Sequence, residues 1–260
     1  MQIPFVKYQG TGNDFILVDD RSRLFPEDVQ LIRQICDRHY GIGADGVILL
    51  RNHAEFDFEM IFRNPDGSPA SFCGNGGRCI VAFAQSLEII GIQTKFLAPD
   101  GIHNAVILGE EGHETLVRLE MCDAIIYEST ETYCYLNTGT YHYVEFVDDF
   151  ESLDVVGKGR SVRNQDRFLP HGTNVNFVSG SSDHLKVRTY EKGVENETLS
   201  CGTGVTASAI AASLQQGGTD FMVNTPGGKL RVTFERDGDR FFHICLEGNA
   251  TRVFEGQISI

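Results

Sequence analysis

The chain has 260 residues, 41% of them hydrophobic, with 36 acidic against 22 basic side chains and a net charge of −14. That is apolar material enough for one large domain or two of ordinary size, while the negative charge, with no Lys/Arg cluster to offset it, excludes a nucleic-acid partner. No apolar run is long enough to span a bilayer and no cationic leader precedes one, so a cytoplasmic protein without membrane contact is expected; seven cysteines, an odd number in a chain this large, point to reduced thiols rather than a disulfide framework.

Residues 3–8 and 15–19 read as strands around the turn Gly10-Thr11-Gly12-Asn13, which leaves Asn13 on a loop, either holding the turn or facing a ligand. Pro26-Glu27-Asp28 opens a helix with Val29, Ile32 and Cys36 on one face. Alternation over residues 56–62 marks a half-buried strand that delivers Asn64 to the turn Asn64-Pro65-Asp66-Gly67-Ser68. After Cys73, the apolar positions Ile80, Phe83, Ala84 and Leu87 give helical spacing, with Arg78 and Cys79 inside the helix and Cys79 read as packing. Strand-like segments follow at 94–97, 105–108 and 115–121. The polar run of residues 128–132 sets a domain boundary, giving an N-terminal half over 1–128 and a C-terminal half over 129–260.

The second half begins with strands over 133–136 and 141–147, which places His142 near a turn. Residues 160–167 read as a charged loop, and strands resume over 175–179 and 185–190, the latter delivering Glu191 and Lys192. A helix follows Cys201 with Val205, Ala209 and Ala212 on one stripe. No Cys-x-x-Cys or His-x-x-x-His spacing occurs, so no metal site is expected.

Two stretches organise this order. Cys73-Gly74-Asn75-Gly76 and Cys201-Gly202-Thr203-Gly204 are both Cys-Gly-x-Gly running into an apolar helix, and Pro-x-Gly follows each at similar distance, at Pro99 and Pro226. Gly172-Thr173-Asn174 echoes Gly10-Thr11-Gly12-Asn13, and Lys192 stands as far before Cys201 as Asn64 does before Cys73. The chain is an internal repeat with one cysteine per half. Glycines permit a tight turn, and the first N–H groups of the helix that follows lack intrahelical partners. Such an end stabilises an anion by about 0.3–1 kcal/mol, up to ~2 when partly buried, so it favours thiolate over thiol and also binds carboxylate.

Taken together, Gly-Thr-Gly-Asn-Asp-Phe at 10–15, Phe-Arg-Asn-Pro-Asp-Gly-Ser at 62–68, Cys-Gly-Asn-Gly-Gly-Arg-Cys at 73–79 and Tyr-Glu-Lys-Gly at 190–193 before Cys-Gly-Thr-Gly at 201–204 resemble diaminopimelate epimerase over essentially the whole chain. The resemblance implies an α+β fold of two pseudo-symmetric halves, each a mixed β-sheet or barrel curled around a central helix, with the substrate held between them. It implies a cofactor-independent isomerase that converts L,L-2,6-diaminopimelate to the meso form, a step toward lysine and cell-wall precursors. By the same resemblance Cys73 and Cys201 are the acid and base, and Gly74, Asn75, Gly202 and Thr203 hold the reacting α-carboxylate. Asn13, Asn64, Asn174, Glu191 and Lys192 match positions that hold the rest of the substrate, while His142 and Glu191 match residues that tune the cysteines. The expected partner is a small amino acid, and a homodimer is compatible with the chain.

Two positions depart from the family pattern. Tyr141 replaces the usual Pro before the histidine, and Lys192 replaces an Arg. An ammonium is a point charge where a guanidinium grips a carboxylate through two parallel bonds, so the distal side of the substrate is held less rigidly. A related racemase with another side-chain pocket is the nearest alternative reading, and an amino-acid-binding or thiol redox protein is a further one. A redox sensor, however, needs an attacking and a resolving thiol, not two matched anion-binding helix ends, and no His–Asn pair is arranged to make either cysteine a protease nucleophile.

Overall fold

The computed structural model describes residues 1–259. The chain opens with the hairpin β1 (Gln2–Gly10) and β2 (Asn13–Asp19), crosses over through α1 (Val29–Cys36) to β3 (Val47–Arg51) and β4 (Glu59–Arg63), and crosses again through α2 (Gly74–Ser86) to β5 (Gln93–Ala98), β6 (Gly101–Glu111) and β7 (Glu114–Glu120). It then continues through β8 (Ile125–Ser129), β9 (Tyr133–Asn137), β10 (Tyr141–Phe146), α3 (Val155–Arg163), β11 (Asn174–Ser181), β12 (His184–Glu191), β13 (Asn196–Thr198), α4 (Gly202–Gln216), β14 (Asp220–Thr225), β15 (Gly228–Asp237) and β16 (Arg240–Ser259).

The pairings expose the repeat. From β1 to β7 neighbours alternate antiparallel, parallel, antiparallel, parallel, then antiparallel twice. From β9 to β16, leaving out the short β13, the order of pairings is the same. A parallel pair cannot be joined by a tight turn and needs a crossover, and the four helices are those crossovers. Thus α1 corresponds to α3, and α2 to α4.

The chain divides into two compact units, one comprising Met1–Leu119 with residues from Gly248 on, the other Glu120–Glu247. The division falls earlier than the polar run at 128–132 suggests, because that run borders β8, a strand paired with β9. The end of β16 returns to the first unit by pairing with β1, which closes an eight-stranded barrel there. In the second unit the order is β16-β15-β14-β12-β11-β10-β9-β8, with β13 added on β12.

Within each unit one helix is buried on all sides. Every residue of α2 from Gly74 to Ala84, and every residue of α4 from Gly202 to Ser213, is buried. A helix enclosed in this way can carry small apolar residues all round rather than on one stripe, which is why Ala-Ser-Ala-Ile-Ala-Ala suits α4. The other pair lies outside the strands and is amphipathic. Ile32, Ile35 and Cys36 of α1 pack on Ile16, Val18, Val47 and Leu49, and Val155 and Val162 of α3 pack on Tyr143, Val175, Phe177 and Tyr190. Each such side chain removed from water contributes roughly 1.5–3 kcal/mol.

α3 corrects an expectation, since much of the charged loop read over 160–167 is helical. Asp154 caps it by accepting from Gly157 N at 2.9 Å. Gly157 and Gly159 weaken the helical pattern in the sequence, yet Gly159 is required by packing: a Cβ there would lie 2.4 Å from Cβ of Tyr190.

Candidate active site

Both cysteines of the repeat are N-cap residues. Cys73 (φ −124°, ψ 121°) precedes α2 and Cys201 (φ −121°, ψ 111°) precedes α4, and neither side chain makes a capping bond to its own helix. Ser, Thr, Asp or Asn normally takes this position and caps the first-turn N–H groups with a side-chain oxygen. A thiol in their place leaves those groups, on residues 74–76 and 202–204, directed at whatever lies beyond the helix end.

In the first unit Asn13, the first residue of β2, accepts at Oδ1 from Cys73 Sγ and from Asn75 Nδ2, each at 3.4 Å, and donates from Nδ2 to Asp45 at 2.6 Å. Asp14 anchors the base of this turn with Lys7 at 2.7 Å and Arg38 at 2.7 Å. Burial opposes the Asp14 charge, but hydrogen bonds and charge from Arg38 and Lys7 outweigh it and hold the carboxyl down at about 2. Asn75 Oδ1 accepts from Arg78 Nη2 at 2.9 Å and from Thr11 at 3.3 Å, so its amide is oriented with the NH2 toward Asn13.

Arg78 is the functional candidate the sequence reading passed over. It is fully buried, bonds Gly74 O at 3.2 Å as well as Asn75, and has no carboxylate within ion-pair distance among the described residues. Burial lowers its pKa. An uncompensated buried cation is costly, and here it sits on the helix that Cys73 caps. Its signal in the sequence was a single Arg in a helix otherwise apolar from Cys79 to Ala84.

In the second unit His142 on β10 is fully buried, with Nε2 2.9 Å from Thr203 Oγ1, and Thr203 Oγ1 lies 3.4 Å from Cys201 Sγ. His142 therefore reaches Cys201 through Thr203. Burial, with the Lys192 charge adding to it, pushes the imidazole down to about 3, so it is neutral. Asn176 Nδ2 lies 3.0 Å from His142 Nδ1. A Cβ on Gly204 would sit 2.3 Å from Asn176 Oδ1, so glycine at that point in the first turn of α4 is what admits the amide.

The remaining expected residues are placed as follows. Asn64 spends its side-chain NH2 on Ser68 Oγ and Pro69 O within its own turn. Asn174 joins two strand ends, accepting from Lys192 N at 2.8 Å and donating to Tyr141 O at 3.2 Å. Glu191 accepts from Thr198 at 2.8 Å, and Lys192 Nζ donates to His171 O at 3.2 Å, its pKa lowered by burial and by Arg163. The echo between Gly10-Thr11-Gly12-Asn13 and Gly172-Thr173-Asn174 does not follow the structural repeat, because Asn13 begins β2 whereas Asn174 begins β11, the counterpart of β3. The match of Asn64 to Lys192 does follow it, each lying just past the end of the strand before the cysteine.

The other thiols divide by environment. Burial pushes Cys36 and Cys134 up to about 12 and raises Cys79 further, which keeps them protonated and inert. Among the described residues no cluster of His, Cys, Asp and Glu could hold a metal ion, and no helix is long and apolar enough to cross a membrane.

The fold is shared with solved structures of low sequence identity: a PhzF-family phenazine biosynthesis protein from Bacillus anthracis (TM-score 0.76, 14% identity, 100% of both chains) and a hydroxyproline epimerase from Agrobacterium vitis (TM-score 0.74, 15% identity, 100% of this chain and 93% of that one). Sequence relatives are much nearer. A diaminopimelate epimerase of Flavobacterium psychrophilum is 45% identical over 256 residues, covering 97% of this chain and 98% of its own, and one of Aquifex aeolicus is 39% identical over 275 residues, covering 98% and 97%. The family profile for diaminopimelate epimerase matches residues 5–122 and again 134–253, one match for each repeat with its N-capping cysteine. This chain is a member of the diaminopimelate epimerase family.

Proposed function

We propose that this enzyme interconverts L,L- and meso-2,6-diaminopimelate, with Cys73 and Cys201 as the proton-exchanging pair and without a cofactor. The observation that carries the reading is the equivalence of the two cysteines: each is the N-cap of the enclosed helix of its repeat, in a chain of this family. Inverting a carbon requires loss of its proton from one face and delivery of another to the opposite face. Two groups of similar basicity serve, each a base in one direction and an acid in the other, and a thiol tuned by a helix end operates near neutral pH.

As Cα loses its proton, charge grows on the attached carboxylate. In this reading the first-turn N–H groups of α2 and α4 are the donors assigned to that charge, and one preorganised donor of this kind is worth roughly 3–4 kcal/mol in a transition state. Asn13, Asn75 and Thr203 adjoin the sulfurs and bind nearest the reacting carbon. Lys192, with Asn64, Asn174 and Glu191, serves the distal amino acid group. Incubation with L,L-diaminopimelate in deuterated water tests this reading. Loss of the α-proton signal with formation of the meso isomer is expected, and absence of exchange with this substrate, in a protein that exchanges another amino acid, would reassign the substrate.

A further inference from the structure

The two cysteines are wired with opposite hydrogen-bond polarity. Near Cys201 the wiring starts from a group that can only accept, the backbone carbonyl of Tyr143, to which Asn176 Nδ2 donates at 3.2 Å. Asn176 Oδ1 accepts from the Thr189 hydroxyl at 3.0 Å on the adjacent strand, so both ends of the amide are fixed. The second hydrogen of Asn176 Nδ2 then points at His142 Nδ1, 3.0 Å away, which must accept. A neutral imidazole carries one proton. Here it resides on Nε2, which donates to Thr203 Oγ1 at 2.9 Å, so of the two side-chain contacts of that hydroxyl it is Cys201 Sγ, at 3.4 Å, that can accept the Thr203 proton.

Cys73 faces the reverse arrangement. Asn13 Nδ2 is committed to the Asp45 carboxylate, so Oδ1 faces Cys73 and accepts from its S–H. A donor beside sulfur favours thiolate, and an acceptor favours thiol.

We propose that Asn176 is a positioning residue that locks His142 as a hydrogen-bond donor, so that Thr203 donates to Cys201 and the resting enzyme carries its thiolate there while Cys73 keeps its proton. His142 is then not a base for either thiol. Asn176, His142 and Thr189 are all buried; of the charged residues at the near end of β12, Glu191 accepts from Thr198, Glu197 lies across from Tyr190, Glu195 accepts from the Tyr190 hydroxyl, and the Lys192 charge opposes a proton on His142. The consequence for catalysis rests on the two-cysteine reading, since a resting thiolate at Cys201 means the free enzyme first attacks the stereoisomer whose α-proton faces that residue. The wiring is testable without turnover.

Histidine 15N shifts of the unaltered protein should show His142 protonated at Nε2 and bare at Nδ1 across neutral pH; the opposite tautomer would overturn the lock. Iodoacetamide labelling, resolved by peptide mass spectrometry over a pH series, should find Cys201 reacting at lower pH than Cys73. Asn176→Asp, whose carboxylate accepts from Nδ1 and reverses the tautomer, should slow labelling of Cys201 near neutrality by about ten- to a hundredfold and leave Cys73 unchanged. Thr203→Ser should keep the natural profile and Thr203→Val should lose it. Cys73 reacting at the lower pH, or equal shifts of both thiols in Asn176→Asp, would refute the assignment, and the 15N experiment decides the matter if that variant does not fold.

Discussion

Replacing His142 by Gln should remove a specific part of the acid sensitivity of this protein. In the folded chain the imidazole is fully buried and its pKa is pushed from 6.5 to about 3; in the unfolded chain it returns to its ordinary value. The unfolded state therefore binds a proton that the folded state refuses, and stability falls as pH falls below about 6.5, levelling off near the folded value. Each pH unit in that window costs about 1.4 kcal/mol, so descent from neutrality to about pH 5 removes ~2 kcal/mol, or roughly 4–8 °C in melting temperature for a chain of this size. Asp14, whose pKa is held down at about 2, has the same sign but acts only as pH falls through the carboxylate range, about 4 and below, so the windows separate. Gln retains a donor for Thr203 and does not titrate. Urea unfolding midpoints at a series of pH values should converge for the two proteins toward pH 5, with the slope of the natural protein the steeper; identical slopes would mean that His142 takes up protons in the folded state and is not sealed from solvent.

Other substitutions probe the site and its frame. Lys192→Arg should keep or lower KM for diaminopimelate and Lys192→Met should raise it sharply, whereas equal KM values would make Lys192 a surface charge only. Arg78→Met should melt close to the natural protein, because an apolar side chain of similar volume often replaces a buried charge without loss. It should nonetheless lose about ten- to a hundredfold in kcat/KM as Asn75 is released; full activity would reduce Arg78 to packing. Gly159→Ala should lower the urea midpoint by the equivalent of about 1–3 kcal/mol, since crowding against Tyr190 outweighs the gain in helix propensity. A higher midpoint would contradict the approach of α3 to β12.

Much of the frame of this candidate site is legible in the sequence because its signals are local. A Cys-Gly-x-Gly turn and the apolar run after it fix an N-cap and a buried helix without reference to the rest of the chain, and α2 and α4 begin where those turns predict. Signals that depend on distant partners were lost. β3 is buried at every residue and so shows no alternation, β8 lies in a stretch polar enough to pass for a linker, and the return of β16 to pair with β1 depends on strand closure that no local pattern encodes. Two glycines hid α3. Asn176 reads as one more strand residue until the backbone carbonyl of Tyr143 and the ring of His142 appear beside it, and Arg78 becomes conspicuous only once its helix is seen to be enclosed. The echo of Gly-Thr-Asn misled for the converse reason, since a similar turn chemistry recurs at strands that are not equivalent in the repeat.

The central claim, that Cys73 and Cys201 each remove the proton from one configuration of the reacting carbon, is tested most directly by stereoselective halide elimination. A β-halogenated diaminopimelate analogue loses halide after deprotonation alone and needs no proton delivered to the other face. Cys73→Ser and Cys201→Ser should both fail to epimerise diaminopimelate, because a hydroxyl is a far weaker base. Each should still release halide from the one stereoisomer whose α-proton the remaining thiolate faces, and the two variants should prefer opposite stereoisomers. Release of halide from the same stereoisomer by both variants, or normal epimerisation by either, would contradict the pairing of Cys73 with Cys201.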